Sequence, residues 1–250
     1  MKWVARLLAV AIAPCAAIAG EAHVAVAANF AASAKRLADQ FASGTGHKLT
    51  LSSGSTGKFY AQIKSGAPFH VLLSADAETP RRLEAEKLAV AGSRFTYALG
   101  RLVLWSARKD LVDDEGAILH TARFGRLAIA NPRLAPYGAA AKETMEKLGL
   151  WPALQGRIVQ GENIAQTYQF VWSGNAELGF IAYSQLRERG ETSGSYWLVP
   201  ERLHAPLHQD AVLLARGANN TAARAFLEFL GDMPARQSIR AHGYELPPAR

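Results

Sequence analysis

Short apolar runs of β-forming residues alternate with longer helical stripes along almost the whole chain, and this alternation restricts the fold more than any other feature. "HVAVA" (23–27) precedes "NFAASAKRLADQFASG", where Phe30, Ala34, Leu37, Ala38 and Phe41 recur at the spacing of one helix face, up to Gly44. "KLTLS" (48–52) precedes "TGKFYAQIKSG", whose apolar side is Tyr60 and Ile63. "HVLLS" (70–74) precedes a helix through Leu88, with Thr79 expected as its N-cap and Pro80 at its first position. A long β-rich run, "FTYALGRLVLWS" (95–106), carries a glycine at its centre. The pattern then resumes with "RLAIA" (126–130), the helix "GAAAKETMEKLG" (138–149), "RIVQ" (157–160) and the helix "NIAQTYQFVWSG". Strands "ELGFIAY", "SYWLV" and "AVLLA" follow, and then the helix "NTAARAFLEFLGD" and a final helical stretch. Strands alternating with long helices predict an α/β protein with mainly parallel sheet. In such sheets ligands bind beyond the strand C-termini, where loops turn into helices.

Four of those strand-to-helix turns are rich in small and polar residues and poor in charge: Asn29, "GSTGK" with Ser55 and Thr56, "NPRLAPYG" (131–138) and "QGENIAQ" (160–166). "GSTGK" resembles a phosphate loop at first sight, but its spacing excludes a nucleotide-binding P-loop. That motif needs four residues between its glycines and a hydroxyl after the lysine. Here two residues separate Gly54 from Gly57, and Phe59 follows Lys58. The underlying physics survives, because main-chain N–H groups at a helix start lack internal partners and attract anions. Ser55 and Thr56 could add hydroxyl donors, or could simply cap the helix.

The first residues are read apart from the fold. Lys2 and Arg6 precede a short apolar run, and "AIA" ends at Ala19, the pattern of a cleaved signal peptide over 1–19 and hence of an exported protein. The one cysteine, Cys15, falls within it, so the mature chain would carry no thiol chemistry. About 230 residues remain, enough for one large core or two modest lobes. The formal charge of +7 falls to +5 once Lys2 and Arg6 are removed (7 − 2). The basic residues are scattered, without the stripe that nucleic-acid binding needs.

The stretches "VAANFAASAKRLADQF", "GSTGKFYAQIKSGAPFHVLLSAD", "YALGRLVLWS", "IANPRLAPYGAAA", "GENIAQTYQFVWSGNAELGFIA" and "GYELP" together resemble the periplasmic molybdate-binding proteins of the ModA type, the solute receptors of ABC importers. "GAPFHVLLSAD" and "GENIAQTYQFV" are the specific ones. The resemblance implies a two-lobed type II periplasmic-binding fold with the ligand cleft between the lobes. One lobe would hold residues 20–99 plus 208–250 and the other 100–207, with "YALGRL" and "PLHQDA" as crossovers and Gly100 as a hinge or a bulge. By position, Asn29, Ser55 or Thr56, Tyr137 and Ile164 would contact the oxyanion, the last two through main-chain N–H groups. Where some members carry a tyrosine hydroxyl, this chain has Ala182, and Tyr183 is expected on the opposite face of that strand. The resemblance further implies molybdate or tungstate as ligand, an ABC permease as partner and a monomeric chain; with no cysteine in the mature chain and no ligand cluster among its seven histidines, neither a cofactor nor a metal cation is expected.

Neutral donors fit that ligand. A buried dianion must regain its hydration as hydrogen bonds, and helix-start dipoles share the charge without a buried counter-ion. A site made only of donors rejects a protonated phosphate, whose proton finds no acceptor. Against this stand three other readings: a receptor for sulfate or phosphate, a hydrolase with Ser55 as nucleophile, and an interaction protein without a small ligand. No G-x-S-x-G elbow surrounds Ser55. His204 and His208 are four apart, but Pro206 between them makes helical metal-ligand spacing doubtful.

Overall fold

The computed structural model describes residues 19–188 and 194–248; the expected signal peptide, with Cys15, lies outside them apart from Ala19. In chain order the elements are β1 (Glu21–Ala27), α1 (Ala31–Thr45), β2 (Lys48–Gly54), α2 (Thr56–Lys64), β3 (Val71–Leu73), α3 (Glu78–Ala85), β4 (Phe95–Gly100) and β5 (Leu102–Ser106). There follow α4 (Ile118–Thr121), β6 (Leu127–Ala130), α5 (Pro136–Lys147), α6 (Trp151–Leu154), β7 (Ile158–Gly161), α7 (Ile164–Trp172), β8 (Leu178–Ala182) and α8 (Tyr183–Arg187). The last four are β9 (Ser195–Leu198), β10 (Leu207–Leu213), α9 (Thr221–Phe229) and α10 (Met233–Ala241).

The strands form two five-stranded sheets, ordered β2-β1-β3-β10-β4 and β7-β6-β8-β5-β9. Each is mixed: β1 pairs in parallel with β2 and β3, and β6 with β7 and β8, while β10 and β5 are antiparallel to both their neighbours. Four of the five strands in each sheet therefore run the same way. The reversed strand is in each case the one that enters from the other sheet: β5 follows β4 through Arg101, and β10 follows β9 through residues 199–206. The chain crosses at the ends of β4 and β9, so it meets the next sheet from its C-terminal edge and must run down it. Parallel pairing expected from the alternation thus holds only for the strands joined by helices.

Both faces of each sheet are covered. In β1, Val24 and Val26 join one core with Phe30, Leu37 and Phe226, while Ala25 joins another with Phe59, Leu72 and Leu83. In β5, Leu102 and Leu104 face Tyr137 and Phe180, while Val103 and Trp105 face Tyr168 and Ile181. This is why "VLL" and "LVLW" read as continuous apolar runs rather than as alternation.

Several local expectations are revised. The run 95–106 breaks at Arg101 into two strands of different sheets. The strand irregularity lies at Tyr97, where Gln209 and Asp210 face Ala98 and Thr96; Gly100 pairs regularly with Leu207. The third helix starts at Glu78, ahead of Thr79, and the capping carboxylate is Asp76, which accepts from Thr79 N–H at 2.7 Å. Tyr183 does not continue β8 but opens α8. Helix α1 runs one residue past Gly44 and is closed by Gly46, whose φ of 74° suits a residue without Cβ.

Candidate functional site

Asn29, Ser55, Thr56, Tyr137 and Ile164 come from four separated stretches of chain, and all five line one cavity. It is small and is completed by Ala27, Ala28, Gly54, Ala75, Ala135, Pro136 and Asn163. None of these lining residues is charged. The cavity lies where β1, β2, β6 and β7 end and the segments after them turn into helices. Thr56, Pro136 and Ile164 are the first residues of α2, α5 and α7, and the turn at Ala28–Phe30 leads into α1. The first N–H groups of each helix have no intrahelical acceptor, so four sets of donors converge on one small space.

Each start is shaped by its own sequence. Asn163 caps α7, its Oδ1 accepting from Ala165 and Gln166 N–H at 3.0 Å each; Gln166 Oε1 in turn accepts from Glu162 N–H at 2.7 Å. This reciprocal cap satisfies the neighbours of Ile164 and leaves Ile164 N–H for the cavity. Pro136 opens α5 in the position where a missing N–H matters least, and Tyr137 is the next residue. The Asn163 cap was legible as N-x-x-Q in "ENIAQ", a signal passed over in the sequence.

Ser55 stands at the N-cap of α2 with extended backbone (φ −83°, ψ 145°), but its side chain makes no capping bond. Its Oγ is buried without a hydrogen-bond partner among the described residues. A buried hydroxyl left bare is unfavourable and asks for a partner. Thr56 differs: its Oγ1 accepts from Ala75 N–H at 3.1 Å and from Ser74 Oγ at 3.5 Å. With its lone pairs so engaged, its own proton is the part left to offer.

Asn29 is not the N-cap of the first helix. It lies inside the turn Ala28–Phe30, 2 % exposed. Its Nδ2 donates to Gln209 Oε1 at 2.8 Å and to Tyr244 Oη at 3.1 Å. Gln209 Nε2 donates to the carbonyls of Leu207 (3.0 Å) and Ala75 (3.5 Å), which fixes its amide and so the orientation of the Asn29 amide. Both side-chain N–H bonds of Asn29 are thereby taken up, and the donor it has left for the cavity is its main-chain N–H. Gln209 and Tyr244, neither singled out from the sequence, thus hold the site from behind. Only long-range packing, between positions 180 and 215 residues from Asn29, reveals them.

The lobes meet across this cavity. Gly57 N–H donates to Leu134 O at 2.9 Å, Ser184 Oγ donates to Asn29 O at 3.3 Å, and Lys58 forms an ion pair with Glu162 at the rim. Tyr97, Tyr137 and Tyr244 are buried close by. Burial pushes all three phenols up; further contributions come from Tyr137 and Asp210 at Tyr97, from Glu188 at Tyr137, and from Tyr137 above all at Tyr244. They stay neutral at any physiological pH.

Residues 22–245 match the family described as bacterial extracellular solute-binding protein. The chain belongs to that family. Among curated relatives, the molybdate-binding protein ModA of Azotobacter vinelandii is 54% identical over 233 residues, 93% of this chain and 92% of that one. Its namesake from Rhodobacter capsulatus is 51% identical, over 91% of this chain and 89% of that one. Among solved structures, the periplasmic molybdate-binding protein of Azotobacter vinelandii superposes with a TM-score of 0.88 at 41% identity, covering 91% of this chain and all of the other. The two-lobed type II periplasmic-binding fold follows from this likeness together with the two sheets.

Proposed function

We propose that this solute-binding protein is a periplasmic receptor that closes on molybdate, and on tungstate, and delivers the anion to an ABC importer. The carrying observation is the orphaned Ser55 Oγ, buried in a cavity whose other polar groups are main-chain donors, the Thr56 hydroxyl and Asn163. A fully ionised tetrahedral oxyanion supplies the acceptors that such a wall asks for. The curated relatives that cover the whole domain are molybdate-binding proteins by name, which supports the same ligand. Ser55 has neither an imidazole nor a carboxylate among the residues lining the cavity, so the reading is a binding site and not a hydrolase. Ligand contacts are assigned to the main-chain N–H groups of Asn29, Tyr137 and Ile164 and to the Ser55 and Thr56 hydroxyls, with no metal cation and no cofactor.

The lobes are taken as 20–99 plus 208–250 and 100–207, in a monomer exported by a signal peptide cleaved near Ala19. Mass spectrometry of the chain from its native envelope checks the cleavage; a species retaining Met1 refutes it. The ligand is tested by thermal unfolding with molybdate, tungstate, sulfate and phosphate in turn. Molybdate and tungstate should raise the midpoint, and sulfate and phosphate should not. Equal stabilisation by sulfate would assign the site to that anion, and no response to any of the four would refute an oxyanion site.

A further inference from the structure

Gly100 is the last residue of β4, one position before the chain crosses to the other sheet. Its backbone is ordinary: it is not among the glycines with positive φ, so alanine suits it conformationally. What it lacks is space. A methyl group at Gly100 would overlap the Tyr137 hydroxyl oxygen and lie 3.0 Å from Gln209 Nε2 and 3.1 Å from Tyr137 Cζ. Tyr137 belongs to the other lobe, where its main chain stands at the anion cavity as the second residue of α5. Its ring reaches from there to the crossover strand, 2 % exposed, and its hydroxyl is buried without a hydrogen-bond partner among the described residues. Gln209, the third group at this point, holds the Asn29 amide of the first lobe. One side chain therefore touches the ligand cavity at its root and the crossover at its tip.

We propose that Gly100 and Tyr137 form a steric interlock that sets how far the two lobes close. The inference rests on the receptor reading above and assigns a positioning role within it. In the closed arrangement the phenol tip seats directly on the bare Cα of Gly100, and a residue with a Cβ there stops the lobes short of the geometry in which both donor sets reach the anion. The seated hydroxyl gives up water without gaining a partner, so the same contact opposes closure and favours reopening once the anion has left. The phenol and the missing Cβ act as a pair: either alone is compatible with closure, and a phenol facing a Cβ is not.

The test is a double-mutant cycle with Gly100→Ala and Tyr137→Phe in the full mature chain, read in two ways. Molybdate affinity is measured by calorimetry. Closure without ligand is measured by the rate at which a short bifunctional maleimide cross-links Lys58→Cys to Glu162→Cys, at positions whose native side chains pair across the rim. Overpacking of this kind should weaken molybdate binding by Gly100→Ala about 5- to 100-fold, with a matching slowing of cross-linking. In the Tyr137→Phe background, the same Gly100→Ala change should cost less than about threefold, since only contacts that side-chain shifts relieve remain. Tyr137→Phe alone should cross-link faster than the wild type. Equal Gly100→Ala penalties in both backgrounds overturn the interlock. So does a ligand-free Gly100→Ala chain that is unfolded by circular dichroism, because the contact would then belong to every state. If the wild type binds no molybdate, the receptor reading fails, and the cross-linking rates still decide the interlock.

Discussion

Ser55→Ala separates a ligand-binding hydroxyl from a structural one, because the two roles predict opposite effects on the empty protein. In the structure Ser55 Oγ bonds to nothing among the described residues and caps nothing. Removing it should leave the ligand-free fold unharmed or slightly more stable, since a bare buried hydroxyl costs about 1–3 kcal/mol. A hydrogen bond to a charged acceptor contributes about 1.5–3 kcal/mol. Loss of one donor should therefore weaken molybdate binding roughly 10- to 150-fold, at 1.4 kcal/mol per factor of ten. Thermal unfolding reads both halves. With ligand at 100 times the wild-type Kd, binding stabilises the wild type by about 2.7 kcal/mol. A variant weakened 100-fold keeps only RT ln 2, about 0.4 kcal/mol. The expected result is an unchanged midpoint without ligand and a nearly abolished shift with it. A lowered ligand-free midpoint would show that Ser55 is structural, and a full shift with molybdate would falsify its role as a donor.

Thr56→Ala should behave differently: it removes a donor and also strands the buried Ala75 N–H, so both binding and ligand-free stability fall, the latter by about 1–3 kcal/mol. Unfolding with and without molybdate distinguishes the two variants directly. Asn29→Leu should destabilise the empty chain, because Gln209 Oε1 and Tyr244 Oη lose their donor, but should weaken binding less than Thr56→Ala does, because the main-chain N–H remains; calorimetry showing a larger loss of affinity in a folded variant would return the ligand contact to the Asn29 side chain. The buried phenols predict an alkaline limit. Tyr97, Tyr137 and Tyr244 have folded values raised above those of the unfolded chain, where phenols ionise near pH 10. Their contribution is whole below that pH and is lost as pH rises through the folded values. In a spectrophotometric titration, these three of the seven tyrosines should ionise only as the chain unfolds; smooth titration of all seven in folded protein would contradict their burial.

Much of the architecture was written locally. The apolar face of α1, with Ala34, Leu37, Ala38 and Phe41, and the strand runs at 21–27 and 127–130 follow from side-chain period and propensity, which neighbouring residues suffice to express. The four polar turns were equally visible, because small residues between a strand and a helix have a local cause. The sequence could not show which strand runs backwards. "FTYALGRLVLWS" has the pattern of one strand, and only the crossing at Arg101 divides it between two sheets.

The same division holds within the site. The identity of the donor-bearing turns was legible in the chain, partly through resemblance and partly through the N-cap chemistry of Ser, Thr and Asn. How each group is used was decided by contacts across long separations. Asn29 read as a contact of the oxyanion other than through its main chain, yet Gln209 and Tyr244 take up its amide and leave the main-chain N–H as the available donor. Ser55 and Thr56 read as near equivalents, yet Ala75 engages one hydroxyl and nothing among the described residues engages the other. Gly100 read as a hinge or a bulge; the fold adds that a Cβ there would run into the Tyr137 hydroxyl. Periodicity and capping depend on residues a few positions apart, so one sequence determines them. The free valence of a buried polar group depends on what the folded chain brings to it from 19 to 215 residues away, and that is settled only when the lobes have packed.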